Sequence, residues 1–484
     1  MSRSRDSIIL SLLLFSGCTV GPDFVRPEPP TAQQYNSGSE LGVPGAVVPR
    51  EWWKLFGSNH LEPLLAQALQ NNLTLKAALA TLRQSQSSLD AGNGVFYPQL
   101  NADLGATRSK TSPRSFGVSA PNSIFNLFTA TGSLAYVLDV FGGERRAVEG
   151  LKAQLEYQRH SVLAAYLTLT GNLVNTALAR AAYQAEVSAT QEIIQLNNSE
   201  IAVTEAQVKA GTTPFATLLS LQTQLYTVES TLSPLQQKMD QSDHLIAVLS
   251  GQLPSERGPL ELPFSEFVLP QNLPKILPSE LVERRPDILE SEAQLHVASA
   301  AVGVTTAALF PSFTLNGTYG FEATSSGNLF KSESSLWNIG GNLTAPIFRG
   351  GTLRSQKQEA VEAFQAALAN YHQTVLLAMA QVADTLRAIE HDSENLKAQS
   401  QALAAADEAA KLIEVSYRAG TANYLQVLTA NAQLLQAKLG VIQAKGQSLQ
   451  DSVALFISLG GGWWNGDKNL ILEIDEGQKK SQGL

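Results

Sequence analysis

Cysteine is almost absent from this chain of 484 residues: Cys18 is the only one. A disulfide framework within one chain is therefore excluded. The six histidines are scattered, with no His-Glu-x-x-His and no Cys/His cluster, so no metal site is expected. No glycine loop leading into Lys-Ser or Lys-Thr offers a phosphate cradle, and no cofactor is expected. Ser and Asp are plentiful but fall in helical or strand patterns, so an enzyme is not expected either. Basic clusters are missing and the net charge is −9, which argues against a nucleic-acid partner. No run of 18 apolar residues exists, so a membrane-spanning helix is not expected. The hydrophobic fraction of 44% is nonetheless that of a folded chain.

Glycine and proline are missing over long stretches. Between Gly351 and Gly420 lie 68 residues with neither. They are rich in Ala, Gln, Leu and Glu, which favour helix. One helix of that length would extend about 100 Å. Few globular domains are so wide, which points to a tube, a stalk or a coiled coil. A matching stretch from Gly143 to Gly211 has no proline and only Gly150 and Gly171 inside it.

The N-terminus accounts for the cysteine. Arg3 and Arg5 precede an apolar core, Ile8 to Phe15, too short to span a bilayer and suited to a signal peptide over 1–17. Ser16, Gly17 and Cys18 follow and resemble a bacterial lipobox, with Phe15 where Leu is usual. The alternative is an ordinary secretory signal with an incidental cysteine. In such lipoproteins a residue other than Asp after the cysteine, here Thr19, implies the outer membrane.

Gly21 to Pro49 is rich in Pro and Gly and reads as an extended tether, within an anchored segment 18–60. Helical periodicity runs from Leu61 to about Val95. The period then becomes two: Leu100, Ala102, Leu104 and Ala106 alternate with Gln99, Asn101, Asp103 and Thr107, which predicts a strand. A polar loop over 109–126 leads to a second strand, Phe128 to Asp139. The long helix follows and stops at Lys209-Ala210-Gly211-Thr212-Thr213-Pro214. The next helix reaches Gly251, with Pro234 as an expected kink or break. A linker occupies 253–279. Helix Pro286 to Leu309, a strand from Phe313 to Phe321, a polar loop over 322–335 and a strand from Trp337 to Ile347 precede the second rod. That rod ends at Arg418-Ala419-Gly420-Thr421, and a last helix runs to Leu459. Residues 462–484 read as a polar tail.

A shift of 209 residues places Glu205 on Glu414, Lys209 on Arg418, Gly211 on Gly420 and Gly251 on Gly460. This predicts an internal two-fold repeat, 61–252 and 280–461. Four alternating strands suit a transmembrane β-barrel wall, apolar side to lipid and Asn, Thr, Ser side to water. Four cannot close a barrel, and open edges are very costly in lipid. Several chains must share one: two give eight strands, three give twelve and room for a channel. A soluble four-stranded sheet is the alternative.

Cys18-Thr19-Val20-Gly21-Pro22-Asp23-Phe24-Val25-Arg26-Pro27 resembles the lipidated start of TolC-like outer membrane factors of the NodT type. Arg284-Arg285-Pro286-Asp287-Ile288, Leu309-Phe310-Pro311-Ser312-Phe313, Tyr417-Arg418-Ala419-Gly420-Thr421 and Gly460-Gly461-Gly462-Trp463 resemble its later signatures. The resemblance covers nearly the whole mature chain. It implies a homotrimer: a twelve-stranded barrel in outer membrane lipid, continued by a periplasmic α-helical barrel. It also implies an exit duct for efflux, joined to a periplasmic adaptor and an inner-membrane transporter. The alternatives are the exit channel of a protein-secreting system and a trimeric surface stalk without a pore.

By that resemblance Gly211, Thr212, Gly420 and Thr421 lie at the periplasmic tip and meet the adaptor. Where many relatives carry Leu-Asp-Ala-Gln-Arg, this chain has Leu428-Thr429-Ala430-Asn431-Ala432. No acid lies between Glu205 and Glu229 or between Glu414 and Asp451, so a carboxylate ring just inside the tip is not expected. The pairs Glu205/Lys209 and Glu414/Arg418 are expected as helix-end ion pairs. The aperture is expected to be held by packing and neutral hydrogen bonds around Thr429 and Asn431.

Overall fold

The structure is a computed structural model. It describes residues 19–32, 34–35, 43–44, 47–112, 117, 119, 121–256, 258, 260–271, 273–275, 277–466 and 470–482. Cys18 and the signal segment lie outside the described residues. In chain order the elements are β1 (Val43–Pro44), α1 (Leu61–Asn71), α2 (Leu73–Asn93), β2 (Gln99–Thr111), β3 (Ser123–Leu138), α3 (Gly143–Lys209) and α4 (Phe215–Leu249). There follow β4 (Pro274–Lys275), α5 (Pro278–Val282), α6 (Pro286–Ala307), β5 (Ser312–Ala323), β6 (Ser335–Thr344), α7 (Thr352–Arg418), α8 (Tyr424–Ser458) and α9 (Leu470–Gln482).

The chain divides into two units. The first is built from Leu82–Gln158 and Glu290–His372, with the described N-terminal residues through Pro27. Its sheet has the order β2-β3-β5-β6, antiparallel throughout, so the strands of both halves of the chain form one sheet. Register sorts the faces. Leu100, Leu134, Gly317 and Ile339 form one cross-strand row, and Ala102, Gly132, Tyr319 and Trp337 the next on that face. Asn101, Ser133, Thr318 and Asn338 form a row on the opposite face. The alternation in each strand thus becomes one apolar and one polar surface. The first hairpin is longer than its sequence suggests. Pairing reaches Thr111 and Ser123, taking in much of the stretch read as loop, while β6 stops at Thr344, short of Ile347.

At the exit from β3 the Asp139 carboxylate accepts hydrogen bonds from the backbone N–H groups of Glu144 and Arg145, at 3.1 and 2.9 Å. That satisfies the exposed donors of α3 and sets a negative charge against its positive end. Gly142 turns the corner at φ +79°. Phe141 and Phe310 stack there with ring centroids 4.8 Å apart.

The second unit holds Glu28–Thr81, Arg159–Leu289 and Gln373–Leu484. Trp52, Phe56 and Phe456 are fully buried, and Trp52 stacks on Phe456 at 5.6 Å. Two of the recognisable sequence signatures interlock here. The buried Arg285 guanidinium donates to the Ser458 carbonyl at 2.9 Å, closing the end of α8, and to Gln381 Oε1 at 2.8 Å. Asp287 pairs with the same guanidinium. Trp463 Nε1 donates to the Arg284 carbonyl at 2.8 Å, and the Arg284 guanidinium lies over the Trp464 ring.

Four expectations are corrected. The first helical stretch is two helices, broken at Asn72, whose side chain caps α2 by accepting from the Leu75 N–H. Pro234 lies inside an unbroken α4, so the expected break is absent, although its ring removes the N–H that would meet the Ser230 carbonyl. The linker 253–279 is not plain coil: β4 pairs in parallel with β1. Residues read as a polar tail form α9, which buries Leu470 and Ile474, packs on α1 and joins Arg50 to Glu473. Its amphipathic period was masked by Asp, Glu and Lys on the outer face. One helix, α3, has an 18-residue stretch apolar enough to cross a membrane, but 61% of that stretch is buried inside the fold.

Replacing Arg285 by Ala should cost about 2–3 kcal/mol, because the buried Ser458 carbonyl and the Gln381 side chain lose their charged donor while Asp287 is half-exposed. Arg284→Ala should cost about 1 kcal/mol or less. Denaturation midpoints of the two variants in detergent test this, and equal shifts would refute it.

Candidate functional site at the helix tips

Both tip turns have one geometry. Gly211 and Gly420 adopt φ of +73° and +76°. A Cβ at either would meet nothing within 4 Å, so backbone conformation alone selects glycine. Gly211 N–H reaches the Val208 carbonyl and Thr212 N–H the Gln207 carbonyl; Gly420 and Thr421 repeat this with Tyr417 and Ser416. These are Schellman-type helix ends. Thr212 and Thr421 each add a hydroxyl bond of 3.0 Å to the same carbonyl. All four residues are exposed. The restarts differ: Pro214 opens α4, whereas Asn423 forms a capping box with Gln426.

The charge pairs come out unequally. Arg418 binds Glu414, an exposed pair worth little. Glu205 and Lys209 form no ion pair; Lys209 extends into solvent, where hydration competes with a weak i,i+4 attraction. Thr429 turns its hydroxyl back to the Leu425 carbonyl and joins no other helix. Asn431 does join one: its Nδ2 donates to Glu200 Oε1 at 3.1 Å. The Tyr424 hydroxyl donates to Glu200 Oε2. Tyr417 packs edge-on against Tyr424 across the turn, at 5.4 Å.

Glu200 is the residue that sequence reasoning missed. It lies outside the acid-free stretches 206–228 and 415–450 and reaches the α8 tip from α3. Burial, the largest cause, raises its pKa, and nearby Glu414 adds to this; Tyr424 and Asn431 oppose it. Burial first, then the adjacent carboxylate, pushes the Tyr424 phenol up, so it remains a donor.

Glu200 belongs to a seam. On α3, Glu186, Thr190, Ile193, Asn197, Glu200 and Thr204 recur at alternate spacings of four and three, the a/d pattern of a coiled coil. Only Ile193 is apolar, and it packs with Val228 of α4 and Leu435 of α8. Thr190, Asn197 and Thr204 are buried, and Asn197 Nδ2 has no partner. Gln443 approaches Glu186 at 3.5 Å, and burial raises the Glu186 pKa as well. The heptad spacing was the legible signal, but a search for apolar residues passes over it.

The sequence model of one family, described as outer membrane efflux protein, matches residues 64–252 and 277–461. The pyoverdine export outer membrane protein OpmQ of Pseudomonas aeruginosa is 34% identical, over 96% of this chain and 98% of that protein. Nodulation protein T of Rhizobium leguminosarum is 29% identical, over 93% and 92%. The solved structure of the outer-membrane channel OprN aligns with a TM-score of 0.85 at 29% identity, covering 92% of this chain and 100% of that one.

Tyr424→Phe should weaken the seam by about 1.5–3 kcal/mol, since a donor to a carboxylate is lost. Amide hydrogen exchange over 424–435 should then quicken roughly tenfold or more, while Thr429→Ala leaves it unchanged. The same rates in both variants would remove Glu200 from the seam's energetics.

Proposed function

This chain belongs to the outer membrane efflux protein family, and from that premise we propose how its parts form an exit duct. It is an outer membrane protein that serves efflux systems as their way out. The carrying observation is the sheet register, which separates an apolar face from a polar one across all four strands. In an outer membrane the apolar face meets hydrocarbon and the polar face lines water.

Three copies share the barrel in this reading, because the edges along β2 and β6 need partners in lipid. Exposed apolar residues on α4 (Phe215, Leu219, Tyr226) and α7 (Leu412, Val415) suit helix contacts between copies. Cys18 carries the lipid anchor. The tip turns at Gly211-Thr212 and Gly420-Thr421 meet a periplasmic adaptor, which couples the duct to an inner-membrane transporter. The cargo is small toxic compounds or drugs, and conduction is passive; no catalysis is assigned. A polar strand face favours this over a stalk, and the efflux family over a protein-secreting duct.

The seam closes the tip. Its carboxylates at Glu186 and Glu200 hydrogen-bond Gln443, Tyr424 and Asn431, all neutral, with Lys238 near Glu186; the Lys438–Glu192 ion pair that also joins α3 to α8 is half-exposed and worth little. Raised carboxyl pKa values mean that the closed seam binds protons more tightly than the open one. Its stabilisation is full below about pH 4.5 and is lost as pH rises through the raised values. Opening is therefore favoured toward neutral pH.

Single-channel recording of purified protein in bilayers tests the reading: discrete conductances support it, and their absence overturns it. Open probability should rise from pH 4.5 to 7.5, and Glu200→Gln should flatten much of that rise. Asp392→Asn serves as control, because burial and Asp451 push Asp392 up to about 6. Closed-state leak, corrected for bulk conductivity, should change little with salt; a steep rise would restore ion pairs to the closure. In the sheet, Leu134→Lys should cost about 2–4 kcal/mol and Ser133→Lys much less, read from folding yields into lipid vesicles. Equal losses would reverse the facing of the strands.

A further inference from the structure

The segment after Cys18 is not a loose tether. Val20 N–H donates to the Phe141 carbonyl at 3.0 Å. The Arg146 guanidinium, nearly buried, binds the Asp23 carboxylate at 2.6 Å and Glu149 at 2.7 Å. It also reaches the carbonyls of Val20 and Gly21, each at 3.4 Å. Glu149 meets His296 Nε2 at 2.9 Å, and the His296 ring stacks on Phe24, 4.2 Å away and 11° from parallel. Arg26 donates to Glu292 at 2.9 Å. Gly21 lies so close to Gly303 that a Cβ on it would stand 2.6 Å from the Gly303 Cα. Residues 19–26 are thus fastened to α3 and α6 almost one by one.

This strap begins at the corner between strand and helix. A Cβ on Gly142 would lie 2.5 Å from the Thr19 methyl and 2.9 Å from its Cα, so Thr19 rests against that glycine. Cys18 precedes Thr19 in the sequence, and the described chain ends here. A cavity of about 370 Å³ opens at this corner, with an apolar wall of Phe141, Val304, Ala307, Phe310, Pro311 and Leu353 and with Asp139, Glu144 and Arg349 also lining it. Phe310 is partly exposed beside it, and Ile347 and Phe348 are about nine-tenths exposed.

We propose that the strap seats the acylated Cys18 at this corner, with an acyl chain lying in the Phe141–Phe310 cavity, and so sets the depth of the sheet in the bilayer. This rests on the reading of Cys18 as lipidated. The occupant follows from where the described chain ends: Thr19 rests against Gly142, whose neighbours Phe141 and Gly143 line the cavity, and most of that lining is apolar. Hydrocarbon next to an apolar wall is removed from water, whereas a loosened strap would let the lipid stray from the corner.

The test uses full-length protein from cells fed an alkyne-tagged fatty acid. A benzophenone side chain replaces Ala308, an exposed residue of the cavity wall, and a control probe replaces Ala106 on the apolar sheet face. After irradiation the 308 probe should capture the tagged N-terminal peptide, at least fivefold more than the 106 probe. Capture should fall at least fivefold in the Asp23→Ala/Phe24→Ala/Arg26→Ala protein; Phe24→Ala alone, with a smaller drop, serves if that protein folds poorly. Capture of free phospholipid or of a second copy instead, or undiminished capture without the strap contacts, overturns the docking. The mass of the N-terminal peptide reports acylation separately: an unmodified Cys18 sinks the lipid-anchor reading itself, whereas an acylated but uncaptured one sinks only the seat.

Discussion

A four-stranded sheet with one largely apolar face has two edges, along β2 and β6, that pair with no further strand among the described residues. In water such edges invite aggregation. In hydrocarbon each open group costs several kcal/mol. Much of the architecture answers this constraint. Strands from both halves of the chain pair through β3 and β5, which halves the edges that two separate hairpins would expose. The glycine corners and the Asp139 cap let each strand pass into helix with its backbone groups satisfied. Membership of an outer membrane channel family is where that constraint leads.

Beyond the sheet the demand reverses. The helices meet along a seam whose a/d positions are mostly Glu, Thr and Asn. A coiled coil with Leu or Ile at those places would be more stable, and correspondingly harder to part. Buried polar residues fix register while lowering the cost of separation, since water can replace hydrogen bonds but not apolar contacts. In the reading proposed above, a duct that closes and opens is served by such a seam near its tip. The Arg285-centred cluster, by contrast, is closed by buried aromatics and by a guanidinium with every donor arm engaged.

Much of this was legible in residue order. Periods of two and of 3.6 marked strands and helices, and paired glycines marked corners and tips. The resemblance rested on motifs whose reason the structure supplies: Arg285 closes α8, and Trp463 binds back to Arg284. Several features were not legible. The N-terminal residues read as a tether because Pro and Gly suppress periodicity, yet they are fastened through Arg146 and His296. Residues after 462 read as a tail because their charges outnumber the Leu and Ile that α9 buries. Glu205 and Lys209 had favourable spacing but remain solvated.

Local pattern, by itself, determined where the four long strands and the long helices lie, and that four strands are too few to close a barrel. Those properties follow from backbone geometry and from the spacing of apolar side chains, both carried by near neighbours in the chain. Only the tertiary structure decided that Glu200 meets Tyr424 and Asn431, that Asp23 meets Arg146, and that the Thr429 hydroxyl turns back to its own helix. These partners lie more than 100 residues apart, and which side of a long helix faces another depends on how all the helices wind together.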